Sequence, residues 1–194
     1  MNFFYEMIIG MFVIAFDAEY IIIENLRIDI VSDVIGCVLV IHALMKMRDW
    51  SPCFNKSIKM CVFYAIAIVV QRLIAYPEFT REYEYVVLGI ATIFYINMVY
   101  NIMDGLFVKN KTEGIEEQNG NIKASSVTLC MIAGISCLAY IIGLDEVFAQ
   151  YDMAGGEVVV QTICNILFYL ATAFFAITLM QNKHELEIIS KLDN

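Results

Sequence analysis

Residues 158–180 read VVVQTICNILFYLATAFFAITLM and carry no charged side chain from one end to the other. A helix needs roughly 20 mainly apolar residues to cross a hydrocarbon layer about 30 Å thick. This stretch supplies them without the polar stripe that a soluble helix keeps for water. Five more stretches read as apolar spans: 3–23, 31–45, 60–76, 85–108 and 125–144. The second is the shortest, and it lengthens if it starts near Ile28 and carries Asp29 and Asp33 at its rim. The expected fold is all-α, a polytopic transmembrane helical bundle of about six spans that forms one integral membrane domain over residues 1–194.

Composition points the same way. Sixty per cent of the residues are hydrophobic and 17% charged, with a mean hydropathy of +0.70, an apolar excess that one small core does not hide. A net charge of −9 argues against nucleic acid, because phosphate binding needs clustered Lys and Arg. Of the six cysteines, Cys37, Cys61, Cys130, Cys137 and Cys164 lie inside apolar stretches and none forms a CxxC pair, so they read as small, soft packing residues. Residues 1–7 place no Lys or Arg ahead of the first apolar run and no small-residue cleavage site follows it. The first span is therefore expected to be retained rather than removed as a signal peptide.

The basic residues orient the bundle. Lys46, Arg48, Lys56 and Lys59 separate spans two and three, Lys109, Lys111 and Lys123 separate four and five, and Lys183 and Lys191 follow the sixth. Only Arg27, Arg72 and Arg81 fall in the alternate connections. Because cytoplasmic loops retain Lys and Arg, both termini are expected inside the plasma membrane. Residues 145–157 hold four acids and no base and are expected outside. The stretch 109–123, KNKTEGIEEQNGNIK, reads as a cytoplasmic loop dividing four spans from two.

Charges near bilayer depth are costly, so each needs a partner or a purpose. Asp17, Glu19, Glu24, Asp29 and Asp33 crowd the outer ends of the first two spans. Asp29 and Asp33, four apart, share a helix face, and Asp17 approaches them if the spans form a hairpin. Such a rim suits a hard cation or a proton relay; it equally suits helix capping, with Asp29, Ser32 and Asp33 complementing the dipole. Arg72, at the outer end of the third span, is a natural ion-pair partner for Asp17 or Asp33, or a snorkelling side chain.

Within the membrane, Asn97, Asn101 and Asp104 align along one face of the fourth span, and Gln161, Asn165, Tyr169 and Thr172 along the sixth. Facing each other, the stripes would line a polar path or cavity; alternatively they supply interhelical hydrogen bonds. Small residues of the fifth span, Gly134, Ser136, Ala139 and Gly143, permit close packing. His42 lacks a second His or Cys at ligand spacing, and no HExxH, GxSxG or phosphate-binding glycine loop occurs. No cofactor is expected, and the metal preference of the rim is open.

Residues 28–41, IDIVSDVIGCVLVI, with Phe16 and Asp17 upstream, resemble the "IDILPDFIGYLLI"-like second span of small polytopic membrane proteins of Gram-positive bacteria. Ile28, Asp29, Ile30, Asp33, Ile35 and Gly36 match, whereas Ser32 replaces the proline and Cys37 the tyrosine of that pattern. The resemblance implies a bacterial plasma-membrane protein in which Asp29, Asp33 and Gly36 belong to a shared element; it implies no activity. Gly36 would let the first helix approach the second closely beside the acids.

The leading expectation is a non-enzymatic accessory, sensing or scaffolding component that acts through a membrane protein partner. The alternative is a small-solute or cation carrier, similar in size and span count to the substrate-binding subunits of energy-coupling-factor importers. A membrane-embedded hydrolase using Asp17 and Asp33 is a third.

Overall fold

The computed structural model describes residues 3–15, 21–23, 26–27, 29–74, 81–142 and 156–192. Six α-helices carry almost all of them: α1 (Phe3–Ala15), α2 (Asp29–Met47), α3 (Pro52–Ile74), α4 (Arg81–Glu113), α5 (Asn119–Ile141) and α6 (Gly156–Leu192). Among the described residues, four helical segments are long and apolar enough to cross a membrane: Pro52–Gln71, Tyr85–Glu113, Glu116–Ala139 and Thr162–Ile189. At 1.5 Å per residue, the described part of α1 covers about 20 Å.

Local chemistry sets the breaks. The Trp50 N–H donates to the Met47 carbonyl at 3.0 Å and ends α2. The Ser51 hydroxyl then accepts the Cys53 N–H at 3.2 Å, capping α3. Pro52 fills the first helical position, where its missing N–H costs nothing. Between α4 and α5, Gly114 takes φ = +75°, which a side chain resists, and the Ile115 N–H reaches back to the Asn110 carbonyl at 2.9 Å. This is a Schellman stop, and a single 3-10 turn, Glu116–Gln118, leads directly into α5.

Two expectations need correction. The stretch 109–123 is not a loop: Lys109–Glu113 completes α4 and Asn119–Lys123 begins α5. Its mixed charge belongs to helix ends. Lys109 pairs with Glu113 one turn on, Lys111 lies in the last turn of α4, and Glu116 and Glu117 open the short turn that follows. The stretch 3–23 is not one helix either. Ile21–Ile23 forms a strand that pairs antiparallel with Leu26–Arg27, irregularly, as Ile21 opposite Arg27 and Ile23 opposite Leu26. A run of β-branched isoleucines suits a pleated ribbon better than a helix.

Each helix packs on its neighbour in sequence, and α6 returns against α1, closing a ring of six; across the ring α4 and α6 barely touch. One end of the ring gathers the start of α1, the end of α2, the start of α3 and the ends of α4 and α6. Trp50 meets Phe3 and Phe54 there edge to face, with centroids 5.3 and 6.4 Å away. Lys109 lies 5.1 Å over the Trp50 ring, and Lys183 lies 3.9 Å over that of Tyr5. The helices therefore alternate in direction, and α1 begins where α6 ends.

Two glycines set the tightest contact. A Cβ on Gly10 would lie 2.7 Å from the Gly36 carbonyl oxygen, and one on Gly36 would lie 2.8 Å from that of Gly10, so α1 and α2 cross backbone to backbone. The exterior is apolar on every helix: Ile9, Val38, Ile66, Ile93, Ile135 and Leu170 are each more than half exposed. In water such a surface is an aggregation liability, whereas hydrocarbon accepts it.

Candidate functional site

A cavity of about 140 Å³ lies between α3, α4, α5 and α6. Helix α3 contributes Tyr64 and Ile68, and α4 contributes Leu88, Ala91, Thr92 and Tyr95. Helix α5 supplies Ala133, Ser136 and Cys137, and α6 supplies Cys164, Asn165 and Phe168. Ser136 and Cys137 stand near the end of α5, Leu88 near the start of α4 and Cys164 near the start of α6, so the cavity occupies the half of the ring away from the lysines. The opposite half is filled. Phe4, Phe54, Phe175, Met98, Leu106 and Ile122 are wholly inaccessible there.

Tyr95 organises the wall. Its ring packs against Tyr64 with centroids 5.5 Å apart and against Phe168 at 5.6 Å, tying α4 to α3 and α6. Tyr95 is 2% exposed, and among the described residues its hydroxyl has no hydrogen-bond partner. Thr172 lies close enough to interact with it. However, the Thr172 hydroxyl donates to the Phe168 carbonyl at 2.8 Å, and no hydrogen bond of proper geometry joins Thr172 to Tyr95. A buried hydroxyl left unpaired costs about 1–3 kcal/mol. The Thr92 hydroxyl is already committed to the Leu88 carbonyl at 2.9 Å.

The sequence-predicted residues scatter about this site. Asp17 and the side chains of Asp29, Arg72 and Gln161 lie outside the described residues, although Asp29 opens α2 and Arg72 falls in the last turn of α3. Asp33 is 7% exposed and sits a full turn inside α2, too deep to cap it. It lies near Tyr64 and Cys37, beside the cavity but not in its lining. Asn165 is in the lining. Asn97, Asn101 and Asp104 are not: Asn97 donates to the Ile93 carbonyl at 2.8 Å and Asn101 to the Asn97 carbonyl at 2.6 Å. Facing stripes do not form, because α4 buries the other face, with Met98, Val99 and Ile102 inward. Spacing fixes which residues share a face, and packing chooses the face that turns in.

Tyr64, Tyr95 and Phe168 were missed by the sequence reading. The available signal was two tyrosines in the middle of apolar stretches, each with a hydroxyl that must find a partner once buried. At the lysine-bearing end a second polar group has a structural use. Asn182 donates to Asn110 at 2.8 Å and Asn110 to Asn119 at 2.9 Å, clasping α6 to the α4–α5 turn. Nearby, Glu6 accepts from Lys46 at 3.1 Å and lies 2.9 Å from His42. All six cysteines are free thiols, and among the described residues no three His, Cys, Asp or Glu side chains gather around a metal position. The chain matches no family model, and no curated protein or solved structure matches it.

Proposed function

We propose that this chain is a six-span bacterial plasma-membrane protein, both termini cytoplasmic, that binds a small solute in the outer half of its bundle. It passes that occupancy to a membrane protein partner, as a non-enzymatic sensing component. The observation that carries the reading is the cavity itself, an apolar and aromatic hollow into which Ser136 and Asn165 bring polar groups. Three features support the topology: the alternating helices, the meeting of Tyr5 with Lys183 and the lysines gathered at one end. The filled core on that side favours holding a solute over passing it through. The cytoplasmic ends of α4 and α6, joined by the asparagine clasp, offer the partner a surface that answers to helix movement.

The test is mass spectrometry of the small molecules and proteins that copurify with a tagged chain in mild detergent. A retained small molecule that is lost in Ala133→Leu, which narrows the cavity, is the expected result. Retention unchanged in that variant would sink the assignment of the site. A carrier remains the second reading, favoured by the burial of Asp33 beside Tyr64, since carboxylates at such depth often mark transport paths. It predicts uptake into vesicles that Asp33→Asn abolishes, whereas a sensor shows none.

A further inference from the structure

Resting on the reading that the cavity is a binding site, we infer that its occupant is a neutral, single-ring carboxamide whose polar edge is held by Asn165 and Ser136. Elsewhere on these helices, hydroxyl and amide side chains turn back on their own backbone. Thr92, Thr172 and Thr178 each donate to the carbonyl four residues earlier, as do Asn97 and Asn101. Among the described residues, the side chains of Ser136 and Asn165 make no hydrogen bond, yet both line the cavity. They are half-buried rather than sealed, so their polar atoms stay open to an occupant, as the Tyr95 hydroxyl does not.

The pair also stands together. Ser136 lies 17 residues after Asn119 on α5, and Asn165 lies 17 before Asn182 on α6. Asn110 bonds both Asn119 and Asn182, and α5 and α6 run in opposite directions. Equal steps of about 1.5 Å per residue therefore bring Ser136 and Asn165 to the same level.

An asparagine presents a donor and an acceptor side by side, and a serine hydroxyl adds one of either kind. A carboxamide returns that pair in the opposite sense, so two parallel hydrogen bonds join it to Asn165 and its remaining N–H or lone pair serves Ser136. A plain hydrocarbon uses neither residue. No lining side chain carries a charge, so an ion would enter without a counterion and keep its desolvation cost. Asp33 stays out of the lining and already has an interaction of its own. The rings of Tyr64, Tyr95 and Phe168 favour another ring in an edge-to-face or offset arrangement. A cavity of about 140 Å³ is close to the roughly 150 Å³ apolar cavity that accepts benzene in an engineered protein, so one ring and a small substituent fill it.

The experiment is calorimetric titration of benzamide, benzene and benzoate into the detergent-solubilised full chain and its Asn165→Leu, Ser136→Ala and Ala133→Leu variants. Partitioning into empty micelles is subtracted. Benzamide should bind saturably, about tenfold more weakly to Asn165→Leu and about threefold more weakly to Ser136→Ala. Benzene should bind the parent and these two variants alike, Ala133→Leu should weaken both ligands, and benzoate should not bind. If Asn165→Leu binds benzamide as well as the parent does, the amide is unused and the ligand class is overturned. Should Asn165→Leu lose benzene too, its cavity is damaged and Ser136→Ala decides, an unchanged benzamide affinity there overturning the class. Saturable benzoate binding overturns the neutral assignment. If no probe binds while a copurified molecule is still lost from Ala133→Leu, the class is wrong and the binding site stands. If no probe binds and nothing is retained, both fall.

Discussion

Gly10 and Gly36 show how much one hydrogen atom in place of a methyl group decides. Each faces the other's carbonyl oxygen below 3 Å from where a Cβ would sit, so Gly36→Ala must push α1 away from α2. Overpacking of this kind costs about 1–3 kcal/mol, and thermal unfolding in detergent should show it. Gly89→Ala is the control. Its Cβ would meet only Ile141 Cδ1, at 3.8 Å, and the exchange should be neutral or stabilising by about 0.5–1 kcal/mol. Tyr95→Phe should leave the empty protein as stable as before, or more so, because it deletes an unpaired buried hydroxyl. A marked loss of melting temperature in that variant would mean the hydroxyl has a structural bond after all. Gly36 was legible in the sequence as a close-approach residue. Tyr95 was not singled out, since a tyrosine among apolar neighbours reads as packing until its surroundings are known.

The helix ends are where sequence and structure part most. KNKTEGIEEQNGNIK has the glycines, asparagines and charges of a loop, yet α4 stops only at Gly114, a single 3-10 turn leads into α5, and Lys109 pairs with Glu113 along the helix end. The asparagines in and beyond this stretch act together across three elements. Asn110→Ala would strand the Asn182 donor and the Asn119 acceptor, both now bonded through Asn110. The expected cost is about 1–3 kcal/mol, from Asn182, which is wholly buried, while half-buried Asn119 can turn to water. Asn97→Ala should change stability by less than about 0.5 kcal/mol, since Asn97 is exposed and bonds only the Ile93 carbonyl of its own helix. Unfolding of both variants side by side separates an amide that joins elements from one that merely turns back on its helix.

Over the whole molecule, the ring is solid at its lysine-bearing end and hollow toward the other. That asymmetry suits a protein which receives a solute from one side and answers on the other. The topology can be read with single cysteines and a membrane-impermeant thiol reagent on intact cells, with the unaltered chain as the labelling blank. Asp145→Cys should label and Lys111→Cys should not until the membrane is permeabilised. The reverse pattern would invert the protein, placing the cavity on the cytoplasmic side and the clasp outside.

What the sequence by itself determined is the helical, lipid-compatible class of the fold and the alternation of basic and acidic connections. Both rest on quantities that add along the chain, hydropathy per residue and charge per connection. Only the tertiary structure decided which face of α4 turns inward, that Ile21–Ile23 forms a strand, and that tyrosines from two helices and a phenylalanine from a third line one cavity. Those outcomes depend on pairs of surfaces that are distant in sequence. The backbone contact of Gly10 with Gly36 sets the approach of α1 to α2, and Phe54 seated on Gly105 sets that of α3 to α4. No periodicity within a single segment records such a fit.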